Sequence, residues 1–146
     1  MRDSRRIVPI LLVILTAVIG LYWGLWYGDR TVVASESASF YQNFESAFPL
    51  ADGLLGAAML ACAWAIRRGR ASAVLFGLVA AGGGLYLFAM DVLFDLEHGI
   101  WGRGAAGAIE LVINVVTLLA STLLGGWIWR SRHTLESADR ARTHRQ

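Results

Sequence analysis

Cysteine is nearly absent: the 146 residues hold one, Cys62, inside an apolar run. A single cysteine makes no internal disulfide and no CxxC pair, which excludes thiol–disulfide membrane oxidoreductase chemistry. Lysine is missing altogether, all 13 basic residues being arginine, a usage that suits a GC-rich bacterial genome. HExxH, CxxC and EF-hand loops are absent too, so none of the common motif-borne metal centres is encoded. The net charge of +2 comes with arginines that lie in the short segments flanking the apolar runs. That is no nucleic-acid footprint, and no nucleic-acid partner is expected.

Polar sequence is also scarce. Hydrophobic residues make up 56% of the chain, against about 45–50% in a soluble domain. Several apolar runs exceed the roughly 18 residues that mark a candidate span, and charges are confined mostly to their ends. The expected fold is all-α: an integral membrane protein with four transmembrane helices in an antiparallel bundle, as a single domain over 1–146. The lipid bilayer is its first partner.

The spans are expected at about 7–28, 49–66, 73–94 and 104–129. The first follows a basic lead, Met1–Arg6, and ends in Leu21-Tyr22-Trp23-Gly24-Leu25-Trp26-Tyr27-Gly28. It is longer than a signal-peptide core, and the aromatics read as an interfacial belt. Gly20, Gly24 and Gly28 form a GxxxGxxxG ridge on which another helix could pack closely. The second span is preceded by a polar loop, Asp29–Ser39, and a short amphipathic interfacial helix, Phe40–Ala47. Phe40, Phe44 and Phe48 are its apolar anchors. Pro49 then fits the first position of the next helix. Arg67-Arg68-Gly69-Arg70 is a tight basic turn, and Gly82-Gly83-Gly84 in the third span is a packing or bending point. Trp127 and Trp129 form a second belt. Arg130–Gln146 reads as a charged cytoplasmic tail without a core of its own.

Orientation follows from arginine. Arg2, Arg5, Arg6, Arg67, Arg68, Arg70, Arg130, Arg132, Arg140, Arg142 and Arg145 lie on one side, with Arg30 and Arg103 opposite. The positive-inside rule puts both termini in the cytoplasm, for a multi-pass protein of the plasma (inner) membrane. The acids lie the other way. Only Asp3, Glu136 and Asp139 are on the arginine side. Asp29, Glu36, Glu45, Asp52, Asp91, Asp95, Glu97 and Glu110 are in the outer loops or the outer half of the spans.

Helical spacing brings some of these acids onto common faces. Asp91, Asp95 and His98 fall within about 60° on the third span, and Arg103, Gly107, Glu110, Asn114, Thr117 and Ser121 within about 80° on the fourth. Tyr41, Glu45, Phe48 and Asp52 follow the same spacing. Glu110 lies roughly 9 Å past Gly104, and Asn114 about 15 Å, near the midplane. An acid at the centre of a span costs on the order of 2.5–3.5 kcal/mol, so it should face the bundle interior or a cavity. Several such acids together must share protons, bind a cation or pair with Arg103.

These residues predict an outward-facing acidic pocket built from Asp52, Asp91, Glu110 and Asn114, with Tyr41, Glu45, Asp95 and His98 toward its mouth. It would take a cation or an amine-bearing, lipid-like ligand. No cofactor is predicted, although oxygen-rich ligands would suit a divalent cation. The alternative for Asp52, Asp91, Glu110 and Asn114 is an interhelical hydrogen-bond network. A second functional reading is enzymatic: carboxylates in an apolar cavity can serve as acid and base on a lipid. In Tyr41, Glu45, Asp52, Glu110 and Asn114 the layout resembles the emopamil-binding family of four-helix sterol isomerases. That resemblance implies cytoplasmic termini and acidic residues around an amine- or sterol-binding cavity. A third reading is a homodimer or a non-catalytic subunit of a membrane complex, docked through the glycine ridge.

Overall fold

A computed structural model describes residues 4–33 and 38–143. Arg2, Asp3, Glu36 and Arg145 lie outside the described residues. Within them the chain is helical, without a strand. Helix α1 spans Ser4–Asp29, α2 Ser39–Glu45, α3 Pro49–Arg68, α4 Ser72–His98 and α5 Gly104–Thr143. Single 3₁₀ turns follow α1 at Arg30–Val32 and α4 at Ile100–Gly102. Four of the helices are long and apolar enough to cross a membrane. The chain is therefore a four-helix, multi-pass membrane protein.

Local chemistry sets the helix ends. Pro49 is the first residue of α3, where its missing N–H costs nothing. Gly69 ends α3 at φ 61°; its N–H donates to the Ile66 carbonyl, and the Arg70 N–H donates to that of Ala65. This is a Schellman closure, which needs a left-handed residue after the helix. Gly99 ends α4 in the same conformation. The connections 69–71 and 99–103 are too short to do anything but reverse the chain. Extended pairings join α1 to α3, α3 to α4 and α4 to α5; α1 and α5 form no such pairing.

Small residues bring the paired helices close. A Cβ on Gly77 would stand 2.6 Å from the Ile128 side chain and 3.2 Å from Cys62 Sγ. Gly84 lies against Ser121, and Gly125 against Ala81. Cys62, Ala65, Ala73 and Ile128 are almost wholly buried in this inner core. Close backbone approach of this kind is how helices associate in lipid, where apolar burial between them gains little. The ridge of Gly20, Gly24 and Gly28 takes no part: nothing lies within 4 Å of a Cβ built at any of the three, and all are exposed. The glycines that pack the bundle are on α3, α4 and α5.

Three further expectations are corrected. Trp23 and Trp26 are not belt residues: both are buried, in a second core with Tyr41 and Ile100. The chain after α1 folds back over them, and only Tyr27 of that aromatic run is largely exposed among its rings. Phe40 and Phe44 dock α2 on α4 rather than anchoring it separately. The Phe44 ring stacks on Phe94 at 3.8 Å, and Phe40 stacks on His98 at 5.0 Å. Finally, 130–143 continues α5 rather than trailing as a tail. Ile128, Ser131 and Leu135 recur at helical spacing and are buried, Leu135 in the inner core.

Candidate functional site

The missing α1–α5 pairing leaves a cleft with α3 and α4 as its floor. Its volume is about 350 Å³. The deep part is apolar, with Leu12, Leu55, Met59, Leu87 and Leu124 on its walls. The other end is polar. Tyr22 of α1, Glu45 of α2, Asp52 of α3, Asp91 of α4 and Glu110 of α5 line it together. Four different helices thus each contribute one carboxylate.

Each position follows from the local chain. Asp52 is in the first turn of α3 because Pro49 starts that helix three residues earlier. Glu45 is the last residue of α2, whose docking through Phe44 turns it toward α1. Glu110, Asn114 and Ser121 are buried on one face of α5, as their spacing requires.

Neutral donors hold three of the carboxylates. The Tyr22 hydroxyl donates to Glu45 at 2.9 Å, Trp23 Nε1 to Asp52 at 2.8 Å, and the Tyr41 hydroxyl to Glu110 at 2.7 Å. Asp91 has no hydrogen-bond partner among the described residues, although it lines the cleft and is half-buried. It lies within Coulombic reach of Glu110, Asp95 and Asp52, and Glu45 within reach of Asp91, Glu110 and Asp52. No arginine reaches Glu45, Asp52 or Asp91 among the described residues. Arg103 Nη2 donates to the His98 carbonyl at 2.8 Å. Neighbouring acids in an apolar setting, with Glu45 and Asp52 each meeting a neutral donor and Asp91 none among the described residues, favour a bound positive charge or shared protons.

The remaining predicted residues are distributed differently from the sequence expectation. Asp95 and Asn114 do not line the cleft. Asn114 Nδ2 donates to Asp95 at 2.7 Å, and Trp101 Nε1 donates to the same oxygen at 2.8 Å. They form a separate buried network beside the site, in which Asn114 Oδ1 has no partner. Tyr41 is also outside the cleft wall and acts on it through Glu110. His98 is exposed, its ring on Phe94 at 4.2 Å. Tyr22, Trp23 and Trp101 are polar contacts that sequence reasoning did not place in the site. Their signal was an aromatic with a polar tip near an intramembrane acid, since a buried Tyr or Trp needs a partner for its O–H or N–H.

Among the described residues, no group of three or more His, Cys, Asp or Glu side chains is arranged to hold a metal ion. The four cleft acids come from separate helices and form no compact ligand set of the kind a divalent cation needs. Comparison with protein-family models, with curated proteins and with solved structures yields no match. The resemblance in layout to the sterol isomerases therefore assigns nothing, and function rests on the site's own geometry.

Proposed function

We propose that this chain binds an amine-bearing, lipid-like molecule in the cleft, with the ligand's cationic end among Glu45, Asp52, Asp91 and Glu110. The observation that carries the reading is Asp91: a half-buried carboxylate that lines an apolar cavity with no hydrogen-bond partner among the described residues. An acid kept in a span at that cost has a use the fold alone does not supply. An ammonium head donates in several directions and suits acids spread over four helices better than a metal would. The apolar walls below the acids suit the rest of an amphiphile. The arginine distribution supports an orientation with the acidic end on the outer side of the plasma membrane and both termini cytoplasmic.

The test is binding of radiolabelled hexadecylamine to the purified protein in lipid nanodiscs, with hexadecanol as uncharged competitor. Asp91→Asn should weaken binding at least tenfold with undiminished yield of folded protein, because Asp91 holds no other residue in place. Asp52→Asn and Glu110→Gln should weaken it as well. Wild-type affinity in Asp91→Asn, or equal competition by hexadecanol, defeats the proposal.

A further inference from the structure

Resting on that reading, we infer that the ligand is a single-chain amine amphiphile that enters sideways from the bilayer, between α1 and α5. Shape is the first argument. The cleft runs from Tyr22 to Leu12 along α1 and from Glu110 to Leu124 along α5, about 15 Å and about 21 Å at 1.5 Å per residue. The acids are gathered at one end of that length, and aliphatic side chains line the rest. A long extended chain with one charged end matches that layout. The polar end matches one cationic head and the apolar walls one tail.

The route follows from how the cleft is closed. On the aqueous side α2 covers it. Its Glu45 accepts from Tyr22 of α1, its Tyr41 donates to Glu110 of α5, and its Phe44 stacks on Phe94 of α4. The lateral side has no such cover. Val18 of α1 and Val112 and Val116 of α5 line the cleft, yet are 57%, 61% and 48% exposed. They are rim residues of a gap that faces lipid. An amphiphile lying in the outer leaflet already has its tail at the depth of the apolar walls and its head at the level of the acids. Lateral entry keeps that tail out of water throughout.

The experiment follows the loading rate of hexadecylamine in nanodiscs. Val116→Trp and Val112→Trp, each placing bulk at the rim, should slow both association and dissociation at least tenfold. Leu123→Trp, on the lipid-facing side of α5 outside the cleft, should load at the wild-type rate and controls for the effect of an added indole. A rigid steroid amine should fail to displace the bound chain. Wild-type loading in both rim variants overturns the lateral route while leaving the binding proposal standing. Displacement by the steroid amine overturns the single-chain assignment. Absence of any Asp91-dependent binding in the wild type overturns both this inference and the reading beneath it.

Discussion

Tyr41→Phe isolates the contact that closes the outer end of the bundle. The ring is almost fully buried, so the substitution keeps its packing and removes one hydroxyl, the donor to Glu110 at 2.7 Å. Losing one partner of a buried polar pair costs about 1–3 kcal/mol, or about 5- to 150-fold in an equilibrium. The loss should appear locally. Helix α2 has only 7 residues, too short to hold its own hydrogen bonds without docking. Its other attachments, among them Phe40 on His98, Phe44 on Phe94 and Glu45 to Tyr22, remain, so the rest of the bundle should not feel the change. Hydrogen exchange of the amides within Gln42–Ser46 should accelerate by that factor, while those around Met59 in α3 keep their rates. Tyr86→Phe, at a largely exposed ring, should change neither. Unaltered exchange in α2 would refute the latch. Equal acceleration in α2 and α3 would refute its local character.

Gly77→Ala should lower stability in mild detergent by about 1–3 kcal/mol through overpacking against Ile128 and Cys62; a companion Ile128→Val, read by thermal unfolding, should recover part of that loss. Gly69→Ala should cost about 1–2 kcal/mol, because the residue must stay in the left-handed region at φ 61°. Gly20→Ala and Gly24→Ala should stay within about 0.5 kcal/mol of wild type, having nothing nearby to meet; a marked loss in bilayers would show that the ridge packs on another chain. Leu135→Ala should cost about 2–5 kcal/mol in chemical unfolding, whereas an unpacked tail would register no change.

The number, class and approximate bounds of the spans were legible because each signal is local. Apolar length marks a span, Pro49 marks a start, and the reversing turn at Gly69 marks a stop. The end of α5 was not legible. Arginines after Trp129 look like the close of a span, but the helix runs on past them and buries Ser131 and Leu135 about one and two turns beyond Ile128. The outer aromatics misled for a different reason. Trp23 and Trp26 sit where a belt belongs, and only the return of α2 and the turn at Ile100 over them, a tertiary event, makes them core. Spacing placed Asp52, Asp91 and Glu110 on inward faces, since period and depth are properties of one helix at a time. It could not separate Asp95 and Asn114 from them, because that depends on Trp101 reaching back to Asp95 from the following turn.

The cleft acids can be weighed against the reading in which they only hold helices together. A structural network gains its stability when each buried polar group meets a donor on a facing element. Asp95 fits that description fully: two donors, from Asn114 and Trp101, and almost no exposure. Glu45, Asp52 and Glu110 fit it in part, since each accepts from a hydroxyl or an indole and still lines open space. Asp91 does not fit it. It has no hydrogen-bonding partner among the described residues, joins no helix to another through a polar contact, and adds a fourth acid beside three. An asparagine or serine there would join helices at less cost than a carboxylate, whose charge is the more expensive thing to place in a span. The bundle thus already shows, at Asp95, what an acid used for cohesion looks like. Asp91 departs from that pattern at the point where the cleft is acidic and its walls are apolar, and this departure is what supports the proposal of a cation supplied from outside the chain.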